Sequence, residues 1–80
     1  MILDINDIRL LRALGTLGGM PSRDAVVIAF GSTNLRSKSQ LATRALKSME
    51  LAGLVTRQDE RSPIAWIRTE AGTKALEAAP

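Results

Sequence analysis

The chain contains no cysteine, no histidine and no tyrosine. Without cysteine there is no disulfide, no thiolate metal site and no thiol nucleophile, and the composition suits a reducing compartment. Without histidine the commonest metal ligand and general base are missing. Aromatic side chains are reduced to Phe30 and Trp66, so an aliphatic core of packed helices is expected. No apolar run approaches the ~20 residues of a membrane-spanning helix, and Asp4 and Asp7 contradict the basic start of a signal peptide. A soluble, cytoplasmic protein is the expectation. Carboxylates occur without EF-hand spacing, and Gly15, Gly18 and Gly19 lack the spacing of a phosphate-binding loop. Catalysis would fall to four aspartates, four glutamates, lysines and hydroxyls. An enzyme is not expected, and neither is a metal or a cofactor.

What is present is compact and basic. Eighty residues make one domain, 1–80, near the size at which a single core barely suffices and a partner often adds stability. The net charge of +3 is unevenly placed: Arg36, Lys38, Arg44 and Lys47 follow one another with no carboxylate between them. Such a patch favours a polyanion; a solvated helix face is the competing reading.

Asp4 suits the N-cap of a first helix running to about Leu17, with Ile5, Ile8, Leu11, Leu14 and Leu17 on its apolar side. Gly18-Gly19 ends it. Ser22 suits the N-cap of a second helix from Arg23 to Phe30, stopped by Gly31. The run Val26-Val27-Ile28 also has strand propensity, but Asp24 in the first turn and the glycine past the end favour helix. Residues Gly31 to Arg36 form a polar turn. Ser32, Thr33, Asn34 and Arg36 there are types that hydrogen-bond phosphate oxygens, or that simply satisfy turn backbone groups.

The stretch from Ser37 to Thr69 is the most informative. Ala42, Ala45, Leu46 and Met49 share one face of a helix over 38–52, leaving Lys38, Gln40, Arg44, Lys47 and Ser48 elsewhere on the cylinder. Ser37 and Gln40 fit a capping box, and Gly53 fits the left-handed residue that stops the helix. Leu54 to Arg57 and Ile64 to Arg68 alternate as two antiparallel strands around a polar tip that ends in Pro63. Trp66 is expected to anchor packing. Thr69 caps a last helix from Glu70 to about Ala79, with Ala71, Ala75, Leu76 and Ala79 as its small apolar stripe.

The run ALKSMELAGLVTR, followed after a polar turn by IAWIRTEAGTKALE, resembles the pattern of MarR-type and related winged-helix transcription regulators. There, a helix ending L-x-x-[LM]-E-x-x-G-L-V is followed by R, a charged tip and a returning strand that ends T-x-x-G. Gly53, Leu54, Val55, Arg57, Thr69, Glu70 and Gly72 carry the match, which covers the C-terminal half closely and the N-terminal half as a compatible helical layout. The resemblance implies a mainly α fold with a small β-hairpin, the winged helix-turn-helix in the order α-α-α-β-β-α.

The expected function is sequence-specific double-stranded DNA binding by a small transcription regulator, a repressor by site occupancy. A major groove admits one helix. Arg44 suits guanine, Gln40 adenine, and Thr43 a thymine methyl or a phosphate. Lys38 and Lys47 suit phosphates, with Ser39 and Arg36 beside them. In the wing, Arg57 and Arg61 are candidates, and the resemblance implies that Arg61 is the one that enters the minor groove; an ion pair of Arg61 with Asp59 or Glu60 competes. A homodimer through the terminal helices, with Ile5, Ile8 and Leu76, would double the contact. The alternative is a protein-binding winged-helix module that docks on or inhibits a regulator or polymerase, through Leu35 or the alanine face of the last helix.

Overall fold

The computed structural model describes residues 2–31, 35–58 and 64–79, with the backbone alone at 35–37. In chain order the elements are α1 (Ile5–Ala13), β1 (Met20–Pro21), α2 (Ser22–Phe30), α3 (Leu35–Leu51), β2 (Val55–Gln58), β3 (Ala65–Arg68) and α4 (Glu70–Ala78). The fold is mainly helical: the described residues form four helices and a three-stranded antiparallel sheet in the order β1-β3-β2. The third strand was not anticipated. Met20 pairs with Trp66 and Pro21 with Ala65; proline cannot donate to a ladder, and the edge of a sheet is where one is tolerated. Among the described residues no helix is long and apolar enough to cross a membrane.

Helix α1 opens with a full capping box. The Asp7 N–H donates to the Asp4 carboxylate at 2.9 Å and the Asp4 N–H donates to that of Asp7 at 3.1 Å. The helix stops at Ala13 and does not reach Leu17, which is 96% exposed. The sheet supplies the reason. Arg68 donates from Nη1 to the Leu11 carbonyl at 2.8 Å and from its backbone N–H to the Gly15 carbonyl at 2.9 Å, giving the end of the helix and the following loop tertiary partners in place of another helical turn. The core side is Ile8, Leu10, Leu11 and Leu14. Ile5, expected on that side, is 61% exposed.

Helix α2 begins at Ser22 itself, so Ser22 is not the N-cap; Pro21 holds that position and offers no side-chain acceptor. Val26, Val27 and Ile28 are helical, with Val26 buried and Ile28 outward. Helix α3 is longer at its start than expected. Leu35 and Arg36 are helical rather than part of the turn, so Ser37 and Gln40 lie within the helix rather than at its first positions. Its last helical residue is Leu51 rather than Ala52. Residues 32–34, named as phosphate contacts, lie outside the described residues. The apolar period holds: Ala42, Leu46 and Met49 are fully buried, with Ala45 half-buried against them.

The end of α3 is a Schellman closure. Gly53 takes φ +81°; its N–H bonds the Glu50 carbonyl at 3.0 Å, and the Leu54 N–H bonds the Met49 carbonyl at 2.8 Å. Met49 and Leu54 both join the core, the apolar contact that accompanies this motif. The reversed chain enters β2, which pairs with β3 from Val55↔Arg68 to Gln58↔Ala65. Trp66 is 6% exposed and belongs to the core. Thr69 caps α4 as expected, accepting from the Gly72 N–H at 3.0 Å, and its hydroxyl also donates to the Gly53 carbonyl at 2.7 Å. The last helix contributes Ala75 and Leu76 to the core margin, while Ala71 is exposed.

Gly72 lies against the Leu54 backbone so closely that a Cβ there would collide with the Leu54 carbonyl and press on the Arg68 side chain. Backbone cannot yield as a flexible side chain does. Gly72→Ala is therefore expected to cost about 1–3 kcal/mol, whereas Gly18→Ala, with open space around its Cβ, should stay within about 0.5 kcal/mol. Urea unfolding midpoints check this; equal midpoints for the two variants would contradict the close approach.

Candidate nucleic-acid interface

Because Ala42, Leu46 and Met49 fix one side of α3 in the core, helical geometry turns Gln40, Thr43, Arg44, Lys47 and Ser48 outward, and all are exposed. No carboxylate interrupts this face before Glu50. Ser39, Gln40, Thr43 and Arg44 line a shallow depression of about 400 Å³. Thr43 donates its hydroxyl hydrogen to the Ser39 carbonyl at 2.9 Å, so it meets a ligand through lone pairs and methyl only. Lys38 is half-buried, its Nζ 5.3 Å from the Phe30 ring centroid. That cation–π contact joins the start of α3 to the end of α2.

Two of the named arginines are not placed. Only the backbone of Arg36 is described, and Arg61 lies outside the described residues together with the rest of 59–63. Arg57 is placed, and it is held. Its Nε donates to the Glu50 carboxylate at 2.8 Å, and its guanidinium carbon lies 5.8 Å from the Trp66 ring. The sequence did not suggest Glu50 as its partner. The available signal was the reversal at Gly53, which folds the last turn of α3 back beside the first strand of the hairpin and so brings together residues seven apart.

Grooves flank α3 on both sides. Between α2, α3 and the hairpin is a groove of about 800 Å³, whose lining includes Arg23, Asp24, Lys47, Arg57, Ile64 and Trp66. Arg23 was not among the expected site residues. Its signal was weak but present: a cation in the first turn of a helix opposes the helix dipole, and a residue placed against local preference invites a reason. On the other side, the N-terminus of α1 and α3 enclose about 440 Å³ lined by Asp4, Asn6, Asp7, Gln40, Arg44 and Ser48 among others. Burial pushes the Asp7 carboxyl above its usual range; the neighbouring Asp4 charge adds to this, and the hydrogen bond from the Asp4 backbone opposes it.

No family model matches the chain, and no curated protein or solved structure matches it. Among the described residues no group of three or more acidic side chains is placed to hold a metal ion. What the geometry offers is a helix with one face buried in the core and the other presenting donors and two cations, set between one predominantly basic and one acidic groove.

The Arg57 and Glu50 side chains remain 40% and 30% exposed, so solvent screens the pair. A double-mutant cycle with Arg57→Ala and Glu50→Ala is expected to give a coupling of about 0.2–1 kcal/mol, read from thermal or urea unfolding. A coupling above that range would mean the pair is a structural cornerstone rather than a surface bridge.

Proposed function

We propose that this chain binds double-stranded DNA sequence-specifically, as a small winged helix-turn-helix transcription regulator of the MarR-like kind that represses by occupying its site. The observation that carries the reading is the outer face of α3, where Gln40, Thr43, Arg44 and Lys47 stand exposed with no carboxylate among them while the opposite face is locked in the core. A helix so held presents its side chains at fixed positions, which readout of base edges requires. Arg44 has the guanidinium fork for guanine O6 and N7, Gln40 the amide for adenine, and Lys47 a point charge for phosphate. The β2–β3 hairpin follows α3 directly and carries Arg57 on its first strand, in keeping with a wing on the flanking backbone.

Homodimerisation is part of the proposal, since one helix reads too few base pairs for high specificity. Of the interface residues expected from the sequence, Ile8 is buried and Leu76 is half-buried against the core, which leaves Ile5 as the exposed contact. A second reading, docking on another protein, draws its support from Ile28, 61% exposed on α2 beside Arg9 and Arg12.

Fluorescence anisotropy of a labelled duplex of about 25 base pairs, spanning two helical turns, tests the function across a salt series. Micromolar affinity falling steeply with salt is expected, and Arg44→Ala with Lys47→Ala should lower the log–log slope by up to about 1.8 if both neutralise phosphates, or by less if Arg44 reads a base. Absence of binding by the wild type at the lowest salt would remove the DNA reading and favour a protein partner. Light scattering at micromolar concentration should give twice the 8.6 kDa chain mass; a monomer mass both with and without DNA refutes the dimer.

A further inference from the structure

The two grooves that flank α3 carry opposite charge, and this asymmetry decides on which side of the helix a polyanion lies. Among the described residues, the groove toward α2 and the hairpin gathers cations from three separate elements, Arg23 from α2, Lys47 from α3 and Arg57 from β2, with Asp24 as the carboxylate on its wall. Glu50 meets Arg57 at its margin. The groove toward α1 reverses the balance: among the described residues it is lined by Asp4 and Asp7, with Arg44 as the one cation. Neither Arg23 nor Arg44 has an ion-pair partner among the described residues. Each is therefore available to a ligand, but in fields of opposite sign.

We propose that one phosphate strand of the duplex runs along the α2–α3–hairpin groove against Arg23, Lys47 and Arg57. In the same arrangement the Asp4/Asp7 wall excludes phosphate from the other side of α3 and so reserves Arg44 for base edges. The proposal rests on the DNA-binding reading and adds to it a polarity and three residues, Arg23, Asp4 and Asp7, that the sequence did not single out for contact. An arginine beside carboxylates gains little from a phosphate, because the approaching anion meets like charge. Its donors are better matched by a neutral acceptor such as guanine, which brings no net charge into the acidic groove. The wall thus works as a specificity device through repulsion: it weakens sequence-independent contact at Arg44 without touching the base-reading geometry.

The test is the salt dependence of anisotropy for an arbitrary-sequence duplex with wild type, Arg23→Gln, Asp4→Asn and Arg9→Gln. Asparagine caps a helix as well as aspartate does, so Asp4→Asn removes the charge and keeps the start of α1; circular dichroism and urea midpoints verify that each variant is folded. Arg9, exposed and lining neither groove, controls for net charge. Arg23→Gln is expected to weaken binding several-fold and lower the slope by about 0.9, the loss of one phosphate contact. Asp4→Asn should tighten binding and steepen the slope as Arg44 gains access to phosphate, and Arg9→Gln should leave the slope unchanged. The proposal is overturned, with DNA binding intact, if Arg23→Gln matches wild type or Arg9→Gln, or if Asp4→Asn binds no tighter. If wild type itself fails to bind at low salt, it is the DNA reading that has failed, and the proposal falls with it.

Discussion

The corner where α3 turns into the sheet holds this small fold together, because three separate segments meet on its backbone. The Met49 and Glu50 carbonyls accept from Leu54 and Gly53, closing the helix. The Gly53 carbonyl accepts the Thr69 hydroxyl, the Leu54 carbonyl accepts the Thr69 N–H at 3.1 Å, and Gly72 packs against that same carbonyl. A helix C-terminus leaves carbonyls without partners; here a Schellman turn and the start of another helix satisfy them. Thr69 does two jobs with one hydroxyl, donating to the corner and accepting from the first turn of α4. The consequence is angular. The direction of α3 relative to the hairpin is set largely by backbone groups at this corner, with the Glu50–Arg57 pair spanning the same two elements, and the candidate interface takes its orientation from there.

Arg68, the residue before Thr69 and the partner of Val55, performs a corresponding task at the same end of the sheet. Its guanidinium reaches the Leu11 carbonyl and, through Nε, the Thr73 hydroxyl at 3.0 Å, while its backbone N–H takes the Gly15 carbonyl. One residue thus binds the end of α1, the following loop and α4 to the returning strand. In a domain near the lower size limit for a self-sufficient core, such multiply used groups supplement an apolar interior whose largest fully buried members are Leu10, Leu11, Leu14, Leu46, Met49, Val26 and Val55.

Legibility followed the physics of each signal. The period of Ala42, Leu46 and Met49, the glycine at 53 and the threonine at 69 were readable because each acts locally: amphipathic spacing, a left-handed φ and a cap are properties of a few neighbouring residues. The two-residue β1 was not, since a strand that short has no alternation and exists only because β3 offers it a partner. The early end of α1 was equally hidden, because its cause, Arg68, lies far along the chain from Leu11. Leu10 was missed and Ile5 misplaced when the apolar face was phased as if the helix ran on to Leu17. In the site, the outward residues of α3 followed from helical geometry, but Arg23 and the Glu50–Arg57 pair arise from how separate elements pack, for which local sequence has no period.

Trp66 has a consequence outside recognition. It is the only tryptophan, the chain has no tyrosine, and its ring is packed in the core while Arg57 stands over it at the rim of the basic groove. Indole emission from this protein therefore originates at one address, the joint between interior and charged surface. The molecule carries its own optical gauge there, reporting the integrity of the core from one side and the electrostatic state of the groove from the other.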